Sequence, residues 1–273
     1  MAKVMKTKPT HVFIPDTQVK PGVPTDHISW AGEEIASRKP DVIVQIGDWA
    51  DMASLSSYDK GKYGFEDRRY EDDVVAAQRA WDLLDTPIRK VRGYRPRKVL
   101  TLGNHEARIS RVLETEPYLM DRLMLTDVQP DGWEVYDFLE VVWIDGVAYS
   151  HYFYNPMSGR PYGGTIDNRL KQIGHTFSMG HQQTFLTGMR YVAGIQQRGL
   201  VAGAFYLHDE DYKGPQGNAH WRGIIFKHEV SQGQYDIMEL SMDYLCRKYE
   251  GMELRDFLKK KYRRNSEGLW LPK

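Results

Sequence analysis

The chain has 273 residues, enough to bury one large α/β core or two small ones. Hydrophobic residues make up 41% and charged residues 27%, which excludes wholesale disorder. Lys plus Arg and Asp plus Glu both number 37, so no global field draws the chain to nucleic acid or to an anionic membrane. The single cysteine, Cys246, rules out an internal disulfide and fits a reducing compartment. No run reaches the roughly 18 apolar residues of a membrane span, and the lysine-bearing N-terminus lacks a signal-peptide core. A soluble, cytoplasmic protein with no membrane partner is the expectation.

Taken in chain order, Val12-Phe13-Ile14 predicts a strand, followed by a loop through Gln18, Pro21 and Gly22. A helix is expected from Thr25 or Asp26, because Ile28, Ala31, Ile35 and Ala36 then share one face. Val42 to Ile46 is a β-branched run bounded by Pro40 and Gly47, the pattern of a buried strand. Val74, Ala77, Trp81 and Leu84 repeat at helical spacing, with Pro87 expected to end that helix. Val99 to Leu102 predicts a third strand, and Ala107 to about Leu113 the next helix. Further on, Val141–Ile144 and Val147–Ser150 flank Asp145-Gly146, a pair favoured in tight hairpin turns. A helix over 165–173, a short strand over 175–179 and strands over 221–226 and 235–240 complete the series. Parallel βαβ units thus come first and an antiparallel portion second, which favours two packed sheets flanked by helices.

Polar residues gather wherever a predicted strand ends. Asp16 and Gln18 follow Ile14; Asp48 and Asp51 follow Ile46; Asn104, His105 and Glu106 follow Leu102. His151 follows Ser150, and His181 and Gln183 follow Met179. The carboxyl edge of an α/β sheet is where loops converge and ligands bind. Each piece alone has an ordinary explanation: Asp48 as a cap, Asn104 in a left-handed turn, His151 or His181 as hydrogen-bonded core imidazoles. Five such loops in succession point instead to one shared site.

In these blocks, D16-T-Q18, G47-D-W-A-D51, G103-N-H-E106, H151 and G180-H-Q-Q183, the sequence resembles the calcineurin-like metallophosphoesterases. Their pattern runs D-x-H, GDxxD, GNHE or GNHD, a lone histidine, then GHxH. The wording IPDTQVKPG, GDWADM and GNHEARISR looks most like the phage-encoded branch, for which the compartment would be the host cytoplasm. The likeness spans residues 12 to about 185 and weakens beyond 190, although NAHWRGIIF also looks like that branch.

The resemblance implies a four-layer α/β/β/α sandwich of two mixed sheets carrying two divalent metal ions. Residues 1–251 would form the catalytic domain and 252–273 a basic tail outside the core. Asp48 would bridge the metals. Asn104, His151 and His181 would complete one set, and Asp16, Gln18 and Gln183 the other. His105 would protonate or stabilise the leaving group, with Asp51 holding its other ring nitrogen. The implied reaction is phosphate mono- or diester hydrolysis by direct attack of metal-bound hydroxide.

Gln18 and Gln183 depart from the family pattern, which has histidine at both places and assigns both to one metal. Two amides with two carboxylates make a hard oxygen set suited to Mg²⁺, Mn²⁺ or Ca²⁺. The set with two imidazoles suits Mn²⁺, Fe²⁺ or Zn²⁺. The expectation is a retuned pair holding mainly Mn²⁺ or Mg²⁺. Gly174-His175 competes with Gly180-His181 for the GHxH position; a strand leading into Gly180 favours the latter.

Arg160, on a Gly/Pro-rich loop, and Arg108, after the GNHE block, are candidate phosphate contacts, with Arg111 as a further one. The long stretch between Asp51 and the next helix, rich in Ser, Tyr and charge, is expected to carry specificity. His208 to Asp211 reads as an exposed acidic loop. The tail holds seven basic residues against three acidic ones, a net +4 that a solvated helix or a nucleic-acid contact would explain. Three functions are carried forward: a phosphatase or phosphodiesterase, a nuclease of the same superfamily, and a non-catalytic protein stabilised by metal.

Overall fold

The computed structural model describes residues 7–57, 67–210, 214–264 and 270–273. From the N-terminus the elements are β1 (His11–Ile14), α1 (Asp26–Arg38), β2 (Val42–Gln45), α2 (Tyr70–Lys90), β3 (Arg97–Thr101), α3 (Ala107–Thr115) and β4 (Glu134–Tyr136). Then come β5 (Val142–Ile144), β6 (Val147–Tyr149), α4 (Ile166–Ile173), β7 (Phe177–Met179), β8 (Phe185–Val192), β9 (Ile195–Ala202) and α5 (Gly214–Asn218). Strands β10 (Gly223–Ser231) and β11 (Gln234–Ser241), helices α6 (Met242–Glu250) and α7 (Leu254–Lys261), and the strands β12 (Tyr262–Arg264) and β13 (Trp270–Pro272) close the chain.

One sheet runs β11-β10-β1-β2-β3-β4 and the other β5-β6-β7-β9-β8, while β12 and β13 pair separately. Strands β1 to β4 are parallel, and β10 and β11 extend their sheet antiparallel. In the second sheet β6, β7 and β9 are parallel, flanked by antiparallel β5 and β8.

The two-residue period of a strand divides these side chains between cores. Val12, Ile14 and Ile43 point to a layer shared with Ile28, Ile35, Trp81 and Leu84 of the helices α1 and α2. Phe13, Val42 and Val44 point the other way, onto Val147, Tyr149 and Leu200 of the second sheet. The outer face of the second sheet, with Phe177, Met179 and Val201, is covered by Leu170 and Ile166 of α4. Three cores separate four layers, so the architecture is the expected α/β/β/α sandwich of two mixed sheets. Each buried aliphatic or aromatic side chain contributes about 1.5–3 kcal/mol to holding the layers together.

Local chemistry follows the sequence at several joints. Asp145 and Gly146 take φ of 50° and 84°, the left-handed pair that a tight β5–β6 turn needs. Thr165 caps α4 by accepting from the Asn168 N–H, and Gly174 ends it at φ 83°.

Elsewhere the structure corrects the expectation. Pro87 does not end α2, which continues to Lys90. Its ring is buried where α1 crosses α2, against Gly32, and this packing offsets the lost helical hydrogen bond. The described part of the tail from 252 to 264 is not wholly outside the core. Phe257 of α7 is 3% exposed and meets the Trp30 ring edge to face at 5.2 Å. The segment's polar composition hid one apolar anchor. Residues 58–66 in the expected specificity loop, 265–269 in the tail and Asp211 lie outside the described residues.

Candidate metal centre

Hydrogen bonds between loops draw the strand ends together. Thr17 and Gln18 donate their backbone N–H groups to the Asp48 carbonyl at 3.0 and 2.8 Å, lacing the loop after β1 to the loop after β2. Trp49 fixes that second loop from beneath. Its ring stacks on Trp81 with centroids 3.6 Å apart, and its indole N–H donates to the Ala77 carbonyl. The second sheet is tied in by His151, whose Nδ1 lies 2.8 Å from the Ile46 carbonyl, and by Gly180 N–H donating to the His151 carbonyl.

Glu106 is the hub of this arrangement. One carboxylate oxygen accepts from the N–H groups of Asp48 (3.0 Å) and Gly103 (2.8 Å), and the other from Ala50 (2.9 Å). A buried carboxylate with three backbone donors fixes both Gly-containing turns.

Asp48, His151 and His181 present ligand atoms that all lie within 4.8 Å of one another. The tautomer of His151 follows from its surroundings. Nδ1 faces a carbonyl and must donate, so Nε2 is the atom turned inward, 3.0 Å from Asn104 Oδ1 and 3.3 Å from Asp48 Oδ2. Asn104 Oδ1 is also 2.8 Å from His181 Nδ1. Asp48 Oδ1 accepts from the His105 N–H at 2.9 Å, and Asp16 Oδ1 from the His181 N–H at 3.0 Å.

The residues fit a metal on three observations. Among the described residues, Asp16 Oδ2 and Gln18 Oε1 are buried acceptors with no hydrogen-bond partner. A cavity of ≈ 140 Å³ is lined by Gln18, Asp48, Asn104, His105, His181 and Gln183. Its donor set is dominated by oxygen acceptors and imidazoles, which a cation satisfies together. Two glycines make the close approach possible. A Cβ on Gly103 would overlap Asp48 Oδ1, and one on Gly180 would overlap Asp16 Oδ1. Gln18, Asp48, His181 and Gln183 all hold left-handed φ, between 45° and 67°. Such strain costs of order 1–3 kcal/mol per residue and collects at functional sites.

Protonation follows burial and charge. Burial pushes the Asp16 carboxyl up to about 7, with Asp48 adding in the same direction. Asp48 itself stays well below the ordinary carboxylate range: burial opposes this, but His105 and His151 prevail. Burial would lower His151, yet Asp48 beside it holds the imidazole up at about 9. Burial lowers His181 to about 4, with His151 adding in the same direction and outweighing Asp48, which opposes it. Metal binding at Nε2 of His151 must therefore displace a proton.

His105 has a different setting. Its Nδ1 lies 2.8 Å from Asp51 Oδ1 and 2.9 Å from the Asp51 carbonyl, both acceptors, so Nδ1 carries a proton. Nε2 makes no hydrogen bond among the described residues and has only the Asp48 carboxylate near it, with Oδ2 at 3.7 Å. Burial works against the imidazolium, but Asp48 and Asp51 hold it up at about 9.

Some predicted residues are engaged by other partners or lie away from the site. Gln183 Oε1 accepts from the Tyr206 hydroxyl at 2.9 Å, which fixes its amide. Arg108 donates to the Asp51 carbonyl at 2.7 Å and to the Met52 carbonyl at 3.2 Å, so it braces the His105–Asp51 pair. Arg160 is exposed on the loop closed by the Tyr154–Pro161 bridge and lines neither the metal cavity nor the cleft beside it. His175 packs on Trp143, ring centroids 4.6 Å apart, away from the cluster; Gly174 is only the end of α4.

Two residues near the centre were missed. Lys20 bridges Asp51 and Glu210, each at 3.2 Å. Glu210 is also 2.7 Å from His208 Nε2, and both are buried. The expected exposed acidic loop is therefore wrong for His208 and Glu210: a lysine distant in sequence neutralises the carboxylate and permits its burial. The second missed residue is Glu106 as the hub, although its place in the GNHE block was plain.

The sequence matches no protein-family profile and no curated protein. Among solved structures, one crystal structure aligns at a TM-score of 0.41 and 10% identity, over 85% of this chain and 98% of the other. The crystal structure of TT1561 of Thermus thermophilus aligns at 0.35 and 6%, over 85% and 99%. At such scores neither likeness bears on the chemistry.

Proposed function

We propose that the chain is a metal-dependent phosphoric ester hydrolase of the calcineurin-like metallophosphoesterase type. The observation that carries the reading is His105. It sits beside the ligand cluster with Nδ1 fixed on Asp51 and with Nε2, 3.7 Å from Asp48 Oδ2, without a hydrogen bond among the described residues, in a ring that lines the cavity. A metal site serving stability alone has no use for an oriented proton donor.

Asn104, His151, His181 and Asp48 would hold one divalent ion. Asp16, Gln18, Gln183 and the shared Asp48 would hold the second, with Mn²⁺ or Mg²⁺ suited to that oxygen-rich set. When bound, the metal pair supplies an activated water and neutralises charge on the phosphoryl group. The rest of the chemistry belongs to the chain. His105 in its protonated form hands the Nε2 proton to the leaving oxygen, and Asp51 keeps the ring in the tautomer and orientation that this requires. Lys20 and Arg108 hold Asp51 in place. Helix α3 begins at the GNHE turn, so the positive end of its dipole lies beside the phosphoryl site.

The test is hydrolysis of a matched aryl phosphate monoester and diester by metal-stripped protein given Mg²⁺, Mn²⁺, Zn²⁺ or Ca²⁺ in turn. Turnover that returns with a divalent ion is expected, and the preferred ester ranks phosphatase against phosphodiesterase. Turnover with no metal dependence, or none with any of the four ions bound, would count against the reading.

A further inference from the structure

Asn104 lines two cavities. One is the small polar cavity of the metal centre; the other is an adjoining cleft of ≈ 470 Å³. That volume lies within the range of small-molecule sites, about 300–1,000 Å³. One part of the lining is a face of α3: Ala107, Ser110, Arg111 and Glu114 recur at three- and four-residue spacing. Another is aromatic. Phe138 and Tyr152 meet edge to face with centroids 5.6 Å apart, and Tyr152 leans on His181 at 4.6 Å.

Charge changes along the cleft. Arg111 lies at the metal end, its Nη2 donating to the Asn104 carbonyl at 2.6 Å. Glu114 lies seven residues into the helix from Ala107, about 10 Å along the axis at about 1.5 Å per residue. Asp137, next to Phe138, adds a second carboxylate to the lining. The organic group that fits is flat, to lie on aromatic surface, and carries N–H donors, to meet carboxylates. An aliphatic group would leave the carboxylates unmatched, and a phosphorylated aliphatic side chain would leave the aromatic surface unused.

Resting on the phosphoesterase reading, we propose that this cleft receives the organic half of the substrate and that this half is a nucleobase with an exocyclic amino group. The base stacks against Tyr152 and Phe138, a contact worth about 1–3 kcal/mol for aromatic–base pairs in general. Its amino group donates to Glu114 or Asp137, as cytosine N4 donates to acidic side chains. Such a base belongs equally to a free nucleotide and to the terminal nucleotide of a strand.

Cytidine and uridine have nearly the same shape, but cytidine presents an amino donor where uridine presents a carbonyl oxygen, beside an N3 that accepts in the one and donates in the other. NMR titration of the metal-free, full-length protein with each is therefore the direct test. Cytidine is expected to bind about tenfold more tightly, and Glu114→Gln with Asp137→Asn to bring the ratio towards one. Both side chains are exposed, so folding of that variant is not at issue. Ser110→Trp, which fills the cleft, should abolish nucleoside binding. Equal affinity for the two nucleosides, or a preference that survives the double substitution, would overturn the proposal. Nucleosides carry no phosphate, so the titration is independent of turnover. Discriminating binding without hydrolysis of any ester removes the phosphoesterase reading and keeps the cleft; aryl ester turnover without nucleoside binding does the reverse. Cytidine monophosphate and a short strand ending in cytidine then identify the source, and cleavage of neither overturns the assignment of the nucleoside, through its sugar oxygen, as leaving group.

Discussion

The carboxylate of Glu106 accepts the backbone N–H of Asp48 at 3.0 Å, and through this bond the GNHE turn sets the position of the ligand loop. The other two donors to the same carboxylate, Gly103 and Ala50, flank the two turns. Glu106→Gln keeps the shape but points an amide N–H₂ at a backbone donor. Hydrogen bonds to a charged group contribute about 1.5–3 kcal/mol each, so a stability loss of about that size is expected in denaturant melts. Metal affinity should fall roughly 10–100-fold, as for other residues that orient ligands. Unchanged metal affinity in a folded variant would remove Glu106 from this role.

Gly180→Ala tests the close approach of backbone to carboxylate. The added Cβ would overlap Asp16 Oδ1 and come within 2.7 Å of Ile46 Cγ2. Overpacking of this kind costs about 1–3 kcal/mol, and Asp16 must turn away from its buried position. Calorimetric Mn²⁺ titration should show a weakened site, whereas Gly174→Ala, where a Cβ meets nothing within 4 Å, should leave metal binding intact.

On the proposed function, the paired glutamines would set metal preference. Gln18 Oε1 is buried without a partner among the described residues, and Gln183 is held by Tyr206. Gln18→His with Gln183→His replaces two hard amide oxygens by imidazole, so affinity for Zn²⁺ or Fe²⁺ relative to Mg²⁺ should rise at that site. Competition binding reads the ratio. A double variant with the parent's preference would show that these positions do not contact the metal.

Acid sensitivity is predicted away from the centre. Burial lowers His27 to about 3, and its ring sits edge-on to Phe205 at 4.8 Å. Burial likewise lowers His11 to about 4, although Asp145 bonds it. Both are held neutral in the fold, so the unfolded chain takes up their protons first as pH falls below about 6.5. Their contribution is complete above that pH and shrinks towards their folded values. By pH 5 the loss is about 2 kcal/mol per histidine. His27→Leu should therefore reduce the drop in melting temperature between pH 7 and pH 5 by about 4–8 °C. An acid limb identical to the parent's would show that His27 is protonated in the fold.

Much of the site was legible because its parts are local in sequence. Asp48 and Asp51 share one loop, Asn104 to Glu106 one turn, and the strands leading to them are short β-branched runs. What was missed depends on contacts between distant residues. Lys20 and Glu210 are 190 positions apart, and nothing near His208 announces that a lysine will neutralise its neighbour. Strands β8 and β9 were not predicted, because Gly188, Gly199 and several half-exposed polar residues break the alternation that marks a strand. Their turn is Ala193-Gly194 at φ 49° and 80°, the same left-handed pair as Asp145-Gly146 but with alanine in the first place. Phe257 was hidden for a similar reason, as one apolar residue among lysines.

The most direct measurement compares parent and His105→Ala protein, both stripped and reloaded with Mn²⁺, for bound metal and for aryl phosphate turnover. The account predicts equal metal content in the two and a turnover lower by about 10²–10⁴-fold in the variant, the usual range for a positioned general acid. Equal turnover in the two proteins, or a metal content that falls along with activity, would contradict the assignment of His105 as the proton donor beside a metal site it does not ligate.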